Sequence, residues 1–139
     1  MNYNISSIDG LKSFISSHLE LFKSKKILLF GELGAGKTTF VKILGELLGF
    51  KNISSPTFTI MNRYFNGDDI FIHLDLYRLT SLNELENIGF FDYIDTNYTI
   101  AVEWADRFNL KDMLDEYTLV ELKKIDNDDR VVKINLKGE

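Results

Sequence analysis

The chain has 139 residues, 21 of them acidic and 16 basic, for a net charge of −5. That balance argues against a basic face for wrapping nucleic acid. The absence of cysteine excludes a disulfide framework, a thiolate metal site and a thiol nucleophile. Hydrophobic residues make up 45% of the chain, enough for the core of one domain over residues 1–139. No apolar run reaches membrane-spanning length and no signal-peptide pattern opens the sequence, so a cytoplasmic protein with no membrane association is expected. With one proline, no repeat and no low-complexity tract, nothing marks a linker.

In chain order, Ser7 reads as the N-cap of a first helix whose Ile8, Leu11, Phe14, Ile15, Leu19 and Phe22 share one apolar face. Lys23, Lys25 and Lys26 form the only local basic cluster, read as a solvated helix end. Lys26-Ile27-Leu28-Leu29-Phe30 is a buried-strand run. It leads into Gly31-Glu32-Leu33-Gly34-Ala35-Gly36-Lys37-Thr38-Thr39, which fits Gly-x-x-x-x-Gly-Lys-Thr at every fixed position. Phe40, Val41, Ile43, Leu44, Leu47 and Leu48 follow at helical spacing, with Gly49 where a C-cap belongs. Strand, loop and helix together are what phosphate binding requires. Glycines let backbone N–H groups close around phosphate oxygens, and the helix start adds free N–H groups and a positive dipole end. Glu32, Leu33, Gly34, Ala35, Gly36 and Thr39 are therefore candidate nucleotide contacts. Lys37 is placed to reach the β- and γ-phosphates, and the Thr38 hydroxyl to ligate magnesium.

Ser54-Ser55-Pro56-Thr57 is a polar loop ahead of an expected strand over residues 58–65, and Asn66-Gly67 is a hairpin signal. The return strand, 70–77, alternates so that Ile70, Ile72, Leu74 and Leu76 share one face. Phe71, His73, Asp75 and Tyr77 share the other. Ser81-Leu82-Asn83-Glu84 is a capping box opening a short helix that ends at Gly89, after which Phe90 and Phe91 dock the connection. Residues 98–103 form an apolar strand ending on Glu103, residues 107–113 are partly helical, and 117–125 and 130–136 form a hairpin about 126–129. The pattern is α/β, a three-layer sandwich like that of P-loop NTPases, with a mixed sheet of parallel core and antiparallel hairpins.

Hydrolysis needs a magnesium carboxylate and a group to position water, and such an acid ends an apolar strand beside the loop. Glu103 and Asp75 both qualify: either can hold the metal while the other orients the water. Thr57 and Thr59 have hydroxyls able to sense a γ-phosphate, although β-propensity alone accounts for them. His73 reads as a hydrogen-bonded strand residue rather than a ligand, and Trp104 as packing.

Four blocks, in order, carry a resemblance to the TsaE family of bacterial P-loop ATPases. They are the loop from Gly31 to Phe40, Ser55-Pro56-Thr57-Phe58, His73-Leu74-Asp75-Leu76-Tyr77-Arg78-Leu79, and Glu103-Trp104-Ala105-Asp106-Arg107. Glu84-Leu85 and Ile88-Gly89 also match. The first block is generic to nucleotide-binding proteins; the other three together are specific. The resemblance implies ATP and Mg2+ as ligands, with magnesium on Thr38 and Glu103. It implies that Asp75 and Lys37 assist hydrolysis, that residues 55–57 act as a switch, and that Trp104 shapes the site. It further implies an ATPase that drives or resets the TsaD and TsaB proteins in threonylcarbamoyladenosine modification of tRNA, reaching tRNA only indirectly. Glu32 stands where the family usually has Asp, and the C-terminal hairpin matches least, which leaves adenine contacts there open. The alternatives are a small nucleoside or nucleotide kinase, with only Arg63, Arg78, Arg107 and Arg130 to hold a transferring phosphate, and a binding module without turnover. A GTPase would carry an Asn-Lys-x-Asp segment, which is missing.

Overall fold

The structure is a computed structural model and describes residues 1–32, 34–54, 60–125 and 129–138. Its strands are β1 (Asn2–Ile5), β2 (Lys26–Gly31), β3 (Met61–Asn66), β4 (Asp69–Asp75), β5 (Thr99–Glu103), β6 (Tyr117–Lys124) and β7 (Arg130–Lys137). Its helices are α1 (Ile8–Ser17), α2 (Lys37–Leu47), α3 (Leu82–Asn87), α4 (Phe90–Tyr93) and α5 (Leu110–Met113), with 3-10 turns at Leu19–Leu21 and Ala105–Arg107.

The strands form one sheet in the order β1-β7-β6-β2-β5-β4-β3. β6, β2, β5 and β4 run parallel, while β1, β7 and β3 pair antiparallel. A parallel core must be covered on both faces, which is why β2 and β5 read as near-continuous apolar runs. On one face Ile27, Leu29, Phe71, Ala101 and Val120 pack with residues of α1 and α2. On the other, Leu28, Ile72, Leu74, Ile100 and Leu119 pack with Leu85, Phe90 and Leu110 of the remaining helices. The result is the expected three-layer sandwich, and the alternation read along β4 holds.

Local signals act as their chemistry requires. The Ser7 hydroxyl accepts the Gly10 N–H at 3.0 Å and the Ser81 hydroxyl accepts that of Glu84 at 3.4 Å, so both caps are real. The β3–β4 hairpin closes with Asn66 opposite Asp69.

Several expectations need correction. Strand β1 was not foreseen: Tyr3 and Ile5 alternate with Asn2 and Asn4, but the run is only four residues long and asparagine disfavours strands, so it forms by pairing with β7. The apolar face of α1 does not include Ile8, which is 59% exposed. The helix ends at Ser17, and Leu19 and Phe22 belong to and follow a 3-10 turn. Lys26 is not at a solvated helix end: it opens β2 and donates to the carbonyls of Thr96 (2.7 Å) and Tyr98 (3.0 Å), tying the strand to the segment before β5. Phe90 and Phe91 begin α4 rather than a plain connection. β4 stops at Asp75, because the Tyr77 N–H turns back to the Asp75 carboxylate at 3.0 Å. The start of the strand expected over 58–65, and the turn at 126–128, lie outside the described residues. Among the described residues, no helix is long and apolar enough to cross a membrane.

Candidate active site

The site lies at the carboxyl ends of β2, β5 and β4, the edge where open α/β sheets present ligand crevices. Gly31 ends β2 opposite Leu122 of β6, and a Cβ there would come within 2.8 Å of the Leu122 carbonyl oxygen. Only glycine lets the two strands stay this close. The chain then turns, with the Ala35 N–H donating to the Glu32 carbonyl at 3.0 Å. Gly36 caps α2 at φ 103, a left-handed conformation that disfavours a side chain, and its carbonyl accepts from Phe40 at 2.9 Å.

Lys37 opens α2 and folds back over this turn. Its Nζ donates to the Gly31 carbonyl and, at 3.2 Å, to that of Glu32, and lies 3.9 Å from the centroid of the Trp104 ring. The residue is only 5% exposed. Burial pulls its pKa below the usual 10.5, opposed by the nearby charges of Glu103, Asp106 and Asp75.

Thr38 is next on the helix, and its hydroxyl donates to Glu103 Oε1 at 2.8 Å. Register explains the meeting: Glu103 sits opposite Leu29 on β2 and opposite Asp75 on β4. Glu103 is 2% exposed, and its Oε2 is hydrogen-bonded to Nε2 of His73, itself 1% exposed. Asp75 is half-buried. Burial raises its carboxyl pKa above 3.8; the Tyr77 N–H opposes this, and the Glu103 charge adds to it.

A hydroxyl beside a carboxylate is an all-oxygen donor pair, the set that suits magnesium. Among the described residues there is no cluster of three or more His, Cys, Asp or Glu able to hold a metal by themselves.

Trp104 follows Glu103 at φ 56 and ψ 39. A bulky side chain in this region costs roughly 1–3 kcal/mol and marks functional sites when it persists. Its ring contacts Lys37 and, at 4.9 Å between centroids, the exposed Tyr77. Trp104 is thus half-buried: it packs against the core, as the sequence suggested, and borders the loop as well.

Lys37, Thr38, Asp75, Glu103 and Trp104 therefore converge, with Glu32, Gly34, Ala35, Gly36 and Thr39 in the loop and the first turn beside them. Leu33, Thr57 and Thr59 lie outside the described residues, as do Ser55, Pro56 and Phe58. Two features escaped the sequence reading. One is the bond from His73 to Glu103, which strand alternation hinted at only by placing His73 on the face of Asp75. The other is Arg130, whose Nε–H donates to the Ala35 carbonyl at 3.2 Å. Beside it a cleft of about 320 Å³ is lined by Ser6, Ser7, Leu11, Gly36, Thr39 and Arg130, among others. It unites the start of α1, the loop and the C-terminal hairpin, segments no local pattern connects.

Comparison with known proteins identifies the family of the chain. The family model described as threonylcarbamoyl adenosine biosynthesis protein TsaE matches residues 5–132. Among relatives named tRNA threonylcarbamoyladenosine biosynthesis protein TsaE, that of Aquifex aeolicus is 39% identical over 117 residues, covering 82% of this chain and 79% of its own length. That of Bacillus subtilis is 36% identical, covering 79% and 68%. The Haemophilus influenzae relative is also 36% identical, over 69% of this chain but only 63% of its own length. The crystal structure of Bacillus subtilis YdiB superimposes with a TM-score of 0.73 at 28% identity, covering 99% of this chain and 86% of that one. The chain belongs to the TsaE family.

Proposed function

We propose that the chain is a magnesium-dependent ATP hydrolase serving threonylcarbamoyladenosine modification of tRNA, its turnover driving or resetting a complex of TsaD and TsaB. The observation that carries the hydrolase reading is the 2.8 Å contact between Thr38 and Glu103 at the start of the phosphate-loop helix. It joins the two oxygen donors that a nucleotide-bound magnesium uses in P-loop enzymes. The setting in threonylcarbamoyladenosine biosynthesis is supported by the names of the relatives, and the partnership with TsaD and TsaB by the sequence resemblance alone.

In this reading the loop N–H groups and Lys37 hold the phosphates, and Thr38 and Glu103 would hold magnesium. The ion would neutralise charge that develops on the phosphoryl oxygens. Asp75, one strand over from Glu103, orients the attacking water and accepts its proton. Its raised pKa suits that exchange better than an ordinary aspartate would. Trp104 and Tyr77 screen the terminal phosphate from bulk solvent on one side. The nucleoside lies in the cleft beside Arg130, which is large enough for a base and next to the loop.

In a domain this small, water exclusion over the γ-phosphate comes from a mobile segment or from another chain, so turnover is low alone and higher with TsaD and TsaB. Phosphate release from ATP, measured with and without that pair, tests the proposal. No release in either condition, with ATP still bound, leaves a binding module. Phosphate transfer to an added nucleoside revives the kinase.

A further inference from the structure

We propose that His73 is a positioning residue for the magnesium carboxylate, donating from Nε2 to Glu103 so that one oxygen is fixed on His73 and the other is held facing Thr38. The proposal rests on the reading of Glu103 as that carboxylate.

His73 lies within β4, opposite Ala101 of β5, on the face that carries Phe71 and Asp75. It is 1% exposed in an apolar layer, a costly place for an imidazole. Its Nδ1 is buried and, among the described residues, has no hydrogen-bond partner. Among the described residues, the polar contact the ring makes is through Nε2 to Glu103 Oε2. A strand needing only volume there would be served as well by leucine. The unpartnered Nδ1 also assigns the tautomer: a proton on Nδ1 would leave a buried donor unsatisfied, and Nε2 would face a carboxylate without one.

Glu103 then receives one donor on each oxygen, the Thr38 hydroxyl on Oε1 and His73 on Oε2. Two donors from two elements, α2 and β4, fix the carboxylate plane. The Thr38 proton is directed to Glu103, which leaves the hydroxyl lone pairs for a cation. Outer partners of this kind change metal affinity by 10–100-fold when removed.

Asparagine and glutamine separate positioning from packing. The Gln amide nitrogen can reach the place of Nε2, whereas the Asn amide reaches only that of Nδ1. The magnesium concentration that half-maximally tightens ATP binding is measured by calorimetry for the wild type, His73→Asn, His73→Gln and Glu103→Gln. In His73→Asn it rises 10–100-fold. It returns most of the way in His73→Gln, while ATP affinity without magnesium holds in both. In turnover, the magnesium requirement moves more than kcat at saturating metal. Imidazole 15N spectra of the metal-free protein give a second readout, with His18 the only other histidine to assign. They show an Nε2–H tautomer for His73 whose resonance shifts in Glu103→Gln.

A normal magnesium requirement in His73→Asn, with a raised one in Glu103→Gln, overturns the positioning role and leaves the proposed function intact. A normal requirement in Glu103→Gln removes the metal role of Glu103 itself, and this inference with it. If His73→Asn does not fold, an Nδ1–H tautomer in the wild type still refutes the proposal.

Discussion

Replacing Lys37 with methionine tests the phosphate loop with little disturbance of the core. The amine already has partners in the protein, the carbonyls of Gly31 and Glu32, and it rests on Trp104. Turning to a phosphate exchanges neutral acceptors for an anionic one, so the gain on binding is less than the full strength of the new contacts. One charge-assisted bond is worth about 1.5–3 kcal/mol, which puts the loss of ATP affinity in Lys37→Met at about 10–150-fold. ADP, without the γ-phosphate, loses less. The fold should hold, because methionine fills similar volume without burying an ammonium; the thermal midpoint stays within about 4 °C. Linkage adds a signature. The folded pKa lies below 10.5, so the unfolded chain binds this proton more tightly. Wild-type stability therefore gains from Lys37 as pH rises from the folded value toward 10.5, and Lys37→Met lacks that gain. Calorimetric titration with ATP and ADP, alongside melts from neutral to alkaline pH, measures all three effects. A folded Lys37→Met that binds ATP within about twofold of wild type would refute the assignment of this lysine to the terminal phosphates.

Glu103→Gln keeps the shape of the site but loses magnesium-supported hydrolysis; if metal-dependence assays find it unchanged while Asp75→Asn loses it, the two carboxylates have exchanged roles. Asp75→Asn keeps nucleotide binding and loses turnover more than affinity, and the acid limb that burial of Asp75 moves above 3.8 in the wild-type kcat/KM profile is missing from its residual activity. The same shift predicts greater stability for Asp75→Asn at neutral pH. A raised folded pKa means that the stability Asp75 lends is full below 3.8 and lost as pH rises through the folded value, and asparagine is spared that loss. Denaturant melts at pH 3 and pH 7 that show the same difference from wild type would contradict this. Trp104→Gly should be about 1 kcal/mol more stable than Trp104→Ala, since φ 56 penalises any Cβ; equal melting midpoints would show that the turn relaxes. Capture by TsaD–TsaB should differ between ATP-analogue, ADP and nucleotide-free buffers, because a ligand shifts an association only by its differential affinity; equal capture with unchanged turnover would end the switch reading.

What the sequence revealed follows from how local each signal is. The phosphate loop and its flanking elements occupy one continuous stretch, and their roles depend on φ, spacing and apolar runs that can be read residue by residue. The apolar strand ending on Glu103 was equally legible. Which acid meets Thr38 was not, because that depends on β5 rather than β4 lying next to β2. Strand order is a property of the whole sheet. The cleft at Arg130 was hidden for the same reason, since β7 comes near the loop only through its partner β6. β1 was missed because its stability comes from pairing with β7 and not from its own four residues.

The costs borne by the site point to how it is held. Lys37 is buried against its charge, Asp75 against its ionisation, and Trp104 sits in a strained turn, all at one edge of the sheet. Each would be relieved by a neutral or smaller residue, so selection for stability alone would remove them. They persist where two apolar layers clamp the strands from opposite faces and set Leu29, Glu103 and Asp75 in register. Loosening either layer should therefore harm the site before it harms the fold. A Val102→Ala cavity beneath Glu103 illustrates this. Removing two buried methyl groups costs about 1–3 kcal/mol of stability. The backbone shift it permits at Glu103 would raise the magnesium requirement, because Thr38 and His73 can fix a carboxylate only where the strand delivers it. A Val102→Ala variant with lowered stability and an unaltered magnesium requirement would show that the carboxylate is held by its own hydrogen bonds and not by the sheet.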